Sequence, residues 1–171
     1  MENDELAILR DEAARGNAEA QYRLALKYIY GDGVGEDHEK AVKLLKTASA
    51  QGHVEAQYNL GICYHYGYGV NIDYELAFEF YRQAAEQGYA KAKGLLGRFY
   101  FSGFFVPQDF AEAIKWFLEA AEENDMAAQY WLGVCYENGY GVLLDEEEAA
   151  GWYQKSAAQG YPRAKEKMGI V

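Results

Sequence analysis

The chain is short of proline, cysteine and positive charge, and each shortage excludes something. Proline occurs only at Pro107 and Pro162. It breaks helix interiors, so its scarcity favours long helices over a β-rich architecture. Cys63 and Cys135 are the only cysteines, too few for a disulfide framework. The formal net charge is −11. Such a charge repels phosphate backbones and anionic lipid alike, so neither nucleic acid nor membrane is an expected partner. A basic protein partner is permitted. No apolar run approaches the ~20 residues of a membrane span. The opening MENDELAILRDEAARGN is acidic and lacks a signal-peptide core, so the chain reads as cytoplasmic unless a leader has been removed.

Catalytic signatures are missing too. There is no GxSxG, HExxH, CxxC or P-loop. Gly31-Asp-Gly-Val-Gly35 superficially suggests a nucleotide loop, but it follows a helical pattern rather than a strand and reads as a turn. His38, His53 and His65 do not converge by spacing, and a metal site needs at least three convergent ligands. The acidic run Asp145–Glu148 reads as a solvated first helical turn favoured by the helix dipole. No catalytic residue, cofactor or metal ligand is expected.

What the chain does contain is repetition. AQYNLGICYHYGYGV at 56–70 matches AQYRLALKYIYGDGV at 20–34 and AQYWLGVCYENGYGV at 128–142. A weaker copy, AKGLLGRFYFSGFFV, lies at 92–106. The offsets are multiples of 36 residues without insertion, giving units 18–53, 54–89, 90–125 and 126–161. Residues 1–17 contain the second half of a unit, which serves as a capping helix over roughly 4–15. Residues 162–171 resemble the start of another repeat or a capping helix. A docked short helix is expected there in preference to end-to-end self-association, and a monomer is favoured.

Each unit has two helical patterns. In the second unit Ala56, Leu60 and Tyr64 recur every fourth residue and share one helix side. Gly67 and Gly69 end that helix, since glycine tolerates left-handed backbone. Asp73, in one column with Asp37, Asp109 and Asp145, reads as the N-cap of the second helix. Asp109 with Glu112, and Asp145 with Glu148, suggest capping boxes. Ala77, Phe80, Tyr81, Ala84 and Ala85 form the apolar side, and Gly88 ends the helix. One such pair cannot bury its own apolar face. Stacked pairs can, which predicts an all-α solenoid.

The constellation resembles Sel1-like repeats, relatives of the tetratricopeptide repeats. The resemblance rests on Ala18-x-Ala20, on Leu60, Gly61 and Tyr64, on Gly67, Gly69 and Val70, and on the Asp column. Ala113, Trp116, Ala120 and Ala121 continue it, as do Ala149, Trp152, Ala157, Ala158 and Gly160. It covers nearly the whole chain. It implies a right-handed superhelix of antiparallel helix pairs that acts as a non-catalytic adaptor for other proteins. Some relatives are linked to penicillin binding or hydrolysis, but the Ser-x-x-Lys pair of such enzymes is absent here. Some secreted relatives carry a cysteine pair within each repeat. Here the two cysteines share one column two units apart, about 20 Å at the usual ~10 Å helix spacing, so two free, half-buried thiols are expected.

The third unit departs from the pattern. Gly94 replaces a tyrosine, and Phe105 replaces the second turn glycine. A reshaped, apolar turn is expected around Phe104 and Phe105.

In such solenoids the first helix of each pair lines the concave side. The stripe opposite the packing residues offers Arg23 and Tyr30, then Asn59, Ile62 and Tyr66, then Leu95 and Arg98, then Trp131, Val134 and Asn138. These columns vary between units while the packing columns do not. A shared scaffold demands identical packing from each unit, whereas a binding groove does not. Aromatics and arginine are the usual anchors of interfaces. The reading is therefore an adaptor that holds a protein or peptide segment in its groove. An inhibitor or immunity protein masking a toxin or enzyme is one alternative, and a self-assembling structural protein another.

Overall fold

The computed structural model describes residues 2–170, with side chains from residue 5. Ten helices and no strand occur among the described residues. They fall into two compact units, Met1–Gln87 and Gly88–Val171.

In the first unit, α1 (Glu2–Ala14) packs on α2 (Ala18–Tyr30), which packs on α3 (His38–Ser49), then α4 (Val54–Tyr66) and α5 (Tyr74–Glu86). In the second, α6 (Ala90–Ser102), α7 (Phe110–Glu122), α8 (Met126–Asn138), α9 (Glu146–Ala158) and α10 (Pro162–Lys167) follow the same order of contact. Consecutive packing of helix pairs is the arrangement of an α-solenoid. The second core joins Phe117, Leu132 and Cys135, all fully buried, to the partly buried rings of Phe101, Trp131 and Trp152. The short α10 docks on α9 through Ala164, while Met168 and Ile170 remain exposed.

The turns have a common construction. Gly31, Gly67, Gly103 and Gly139 cap the first helices in left-handed backbone, and each amide donates to the last helical turn. The aspartate column caps the second helices: Asp37 accepts from the Lys40 amide, Asp73 from Leu76, Asp109 from Glu112 and Asp145 from Glu148. The expected capping boxes are only half present. The backbone amide of each capping aspartate donates instead to a tyrosine carbonyl nine residues earlier, at 2.9 Å in all four turns. The pairs are Asp37 with Tyr28, Asp73 with Tyr64, Asp109 with Tyr100 and Asp145 with Tyr136. That donor is thereby taken, and Glu112 turns to the Lys115 ammonium.

A second link closes the other end of a pair. Gln51 donates to Gln21, Gln87 to Gln57 and Gln159 to Gln129. In the remaining repeat both partners change together: Lys93 meets Glu123 at 2.7 Å. Glu123 and Glu119 hold the Lys93 ammonium charged and push its pKa upward.

Two expectations need correction. The Phe105 turn is reshaped less than expected: the Phe104 amide donates to Ser102 Oγ, where Asp32, Tyr68 and Tyr140 donate to the Lys27, Cys63 and Cys135 carbonyls, but the backbone at 105 is that of the other turns. Phe105 takes φ 70°, the left-handed value of Gly33, Gly69 and Gly141 in the same column. The cap at Gly103 and the Asp109–Tyr100 bond hold that conformation despite its usual cost to a side chain. Second, the thiols of Cys63 and Cys135 are free but more buried than expected, Cys135 fully and Cys63 all but 3%. Burial pushes them up to about 11 and about 12 respectively, so neither is a nucleophile at neutral pH.

Candidate functional site

The ten predicted contact residues all keep some surface. Arg23, Tyr30, Tyr66, Arg98 and Asn138 are exposed, whereas Asn59, Ile62, Leu95, Trp131 and Val134 are half-buried. Their local bonds differ. Arg23 lies 3.8 Å from Glu5 on α1. Asn59 and Asn138 donate to carbonyls of their own helices. The Tyr66 ring stacks on Tyr68 at 5.7 Å. Trp131 is half a core residue: it stacks on Phe117 and meets Phe101 at 5.0 Å, while Arg98 sits over its ring at 5.8 Å.

In the first unit the structure brings Tyr30, Asn59 and Ile62 to one open cavity of about 390 Å³. Ile29 joins Ile62 in lining it, and the buried Cys63 lies behind them. Tyr30 and Tyr68 stand at its edge, 75% and 47% exposed. Glu36 and His38 complete the lining, 3.1 Å apart between Oε1 and Nε2. The His38 ring stacks on Tyr68 at 5.5 Å. Sequence reasoning missed Glu36, His38 and Tyr68 because it searched the first helices alone. Glu36 precedes α3, His38 begins it, and Tyr68 lies in the turn after α4. An open turn tyrosine facing the start of an adjacent second helix was the available signal.

The second unit contains the same place in filled form. Two repeats on, Phe101 stands for Ile29, Trp131 for Asn59, Phe110 for His38 and Tyr140 for Tyr68. Phe101 meets Phe110, Trp131 and Tyr140 at 5.4, 5.0 and 5.6 Å, and Phe110 stacks on Tyr140 at 4.9 Å. A second hollow of about 490 Å³ is lined by Tyr130, Arg163, Glu166 and Lys167. Lys167 is already paired with Glu137 at 2.7 Å, which holds that carboxyl below its usual range.

Among the described residues no three His, Cys, Asp or Glu side chains group to hold a metal. No helix of the described residues is long and apolar enough to cross a membrane. Aromatic faces, exposed arginine and one carboxylate at a cavity edge suit the docking of a peptide.

The Sel1 repeat model matches residues 18–53, 54–89, 90–125 and 127–161, so the chain belongs to the Sel1 repeat family. Proteins of this family are in general scaffolds for protein interaction. No curated protein matches the chain. Among solved structures it is similar to c5321, a protective antigen of uropathogenic Escherichia coli with an SLR fold. That match has 36% identity and a TM-score of 0.90 over 96% of this chain and 35% of the other. A Sel1 repeat protein from Oxalobacter formigenes is 34% identical, with a TM-score of 0.84 over 94% of this chain and 46% of the other. The chain thus spans about a third of the first relative and under half of the second. Cysteine rich protein B of Helicobacter pylori shares the fold at 24% identity, with a TM-score of 0.58 over 72% of this chain and 93% of the other.

Proposed function

We propose that this chain is a non-catalytic adaptor that holds a segment of a partner protein on the face formed by its first helices. The observation that carries the reading is the meeting of Tyr30, Asn59 and Ile62 at an open cavity. Three residues from the variable columns of two successive repeats line one concavity, while the repeated columns around them are spent on packing. The net charge of −11 favours a basic partner and raises the rate of encounter with it.

The test is site-specific photo-crosslinking in a native lysate. A crosslinker replaces Tyr66 or Arg98 on first helices, or Lys43 or Lys115 on the exposed sides of second helices. Partner adducts are expected from 66 or from 98, and not from 43 or 115. Adducts confined to 43 and 115 would sink the reading.

A further inference from the structure

The two units offer an internal comparison at one position of the fold. In the second, Phe101 and Trp131 fill the space between adjacent repeats, and Tyr140 stands beside Phe101. In the first, the corresponding residues are Ile29 and Asn59, and a cavity of about 390 Å³ stands open. The aromatic wall is kept, since His38 stacks on Tyr68 as Phe110 stacks on Tyr140. What the first unit lacks is the pair of large rings inside. The chain's own second unit therefore displays the kind of group that fits there.

We infer that the first-unit cavity is a binding pocket for an aromatic side chain, tryptophan or phenylalanine, presented beside a lysine or arginine in a partner's peptide segment. The aromatic group would rest on the apolar flanks of Ile29 and Ile62 and against the Tyr68 ring, replacing in trans the contacts that Phe101 and Trp131 make in cis. Offset aromatic contacts of this kind add to simple area burial. The neighbouring positive charge follows from complementarity. Glu36 is the one carboxylate among the lining residues, none of which is a lysine or arginine. Its side chain is 64% exposed, so it meets a ligand at the rim rather than in the interior. This assignment deepens the adaptor reading and rests on it.

The probes are the blocked peptides acetyl-Lys-Trp-Lys-amide, acetyl-Lys-Ala-Lys-amide and acetyl-Glu-Trp-Glu-amide. Protein labelled at isoleucine δ1-methyls is titrated with each and read by NMR. The expected result is saturable binding of the first peptide at ~1 mM or tighter, with ring-current shifts of the Ile29 and Ile62 methyls. Ile8, Ile72, Ile114 and Ile170 stay unmoved. The alanine peptide is expected to bind at least about tenfold more weakly, since an aromatic anchor dominates such contacts. The acidic peptide is expected to fall between them.

The double variant I29F/N59W copies the second unit and is expected to abolish the shift at the remaining reporter, Ile62, with the fold intact. Equal affinities for the tryptophan and alanine peptides overturn the pocket, as does the absence of saturable shifts at Ile29 and Ile62 in the native chain. That second readout stands whether or not the variant folds. If the pocket fails while a partner still crosslinks from 66 or 98, the adaptor reading survives alone. If the pocket binds and those crosslinks move to the second helices, the placement of the partner on the first helices falls, while the adaptor's peptide-binding pocket stands.

Discussion

A methyl group on Gly97 would sit 2.5 Å from the ring of Phe117. Gly61 and Gly133 stand in the same relation to Tyr81 and Tyr153, at 2.6 Å. In the first repeat, the same columns hold the fully buried Ala25 and Leu45. Small residue and large residue are thus exchanged as a pair.

Alanine in place of Gly97 gains about 1 kcal/mol of helix propensity. Overpacking typically costs roughly 1 to 3 kcal/mol, and contacts of 2.5 Å to Phe117 and 3.1 Å to the Ala113 carbonyl put it at ~2 to 3 kcal/mol, so it dominates. Gly97→Ala is therefore expected to lower the unfolding free energy in urea by about 1 to 2 kcal/mol. Adding Phe117→Leu recreates the pairing of Ala25 with Leu45, and the double variant is expected to recover at least half of that loss. A Gly97→Ala protein as stable as the parent would remove the steric account.

Lys93 and Glu123 form the second testable pair. Glu123→Gln leaves the nearly buried ammonium with Glu119 alone, 3.4 Å away, and is expected to cost about 1 kcal/mol. Lys93→Gln combined with Glu123→Gln restores the amide pair of Gln57 and Gln87. That double variant should return to within about 0.5 kcal/mol of the parent and lose the salt dependence of the native link. Simple additivity of the two single losses would show that the pair does not act together.

Asp125 gives a pH prediction. Its carboxylate caps α8 through the Ala128 amide at 2.7 Å, in the place that Asn17 fills for α2. Burial raises its pKa, against the lowering pull of the Ala128 and Ala127 amides and of Lys91. A raised acid pKa means that the folded state binds the proton more tightly than the unfolded chain. Stability from this group is therefore lost as pH rises from the ordinary value of 3.8 through the folded pKa. Asparagine caps equally well without the charge. Asp125→Asn is expected to raise the melting temperature at pH 7, with the gain shrinking on acidification and vanishing below 3.8. A gain that persists or grows in acid would reverse the assigned sign.

The cysteines predict a kinetic result. Both thiols are buried and protonated at pH 8, so a thiol-reactive dye should label the native chain only as fast as it opens. Adding urea below the unfolding midpoint should accelerate labelling of Cys63 and Cys135. Immediate stoichiometric labelling of native protein would contradict the burial.

Glycine and aspartate made much of the fold legible. Gly67 and Asp73 act through backbone geometry within a few residues of themselves, so their columns announce a helix end and a helix start. The caps of the first helices were less readable. Asn17, His53 and Asp125 do the same work with different chemistry, and His53 accepts the Ala56 amide through Nδ1. The capping boxes misled because the competing acceptor for the aspartate amide is a main-chain carbonyl, which leaves no mark on composition. The cavity was half legible. Tyr30, Asn59 and Ile62 lie on a helical stripe, but Glu36, His38 and Tyr68 come from turns and helix starts that spacing on one helix does not reach. Reading Ile29 and Asn59 against Phe101 and Trp131 would have flagged the missing volume.

The bond between each capping aspartate and its tyrosine carbonyl has a genetic consequence. It spans nine residues, so inserting or deleting a single codon between Tyr64 and Asp73 pulls donor and acceptor out of register. Duplicating a whole repeat leaves the bond intact in every copy. Heritable change in such a gene is thus channelled: length alters in whole repeats, while columns such as 29 and 59 vary from repeat to repeat without touching this bond.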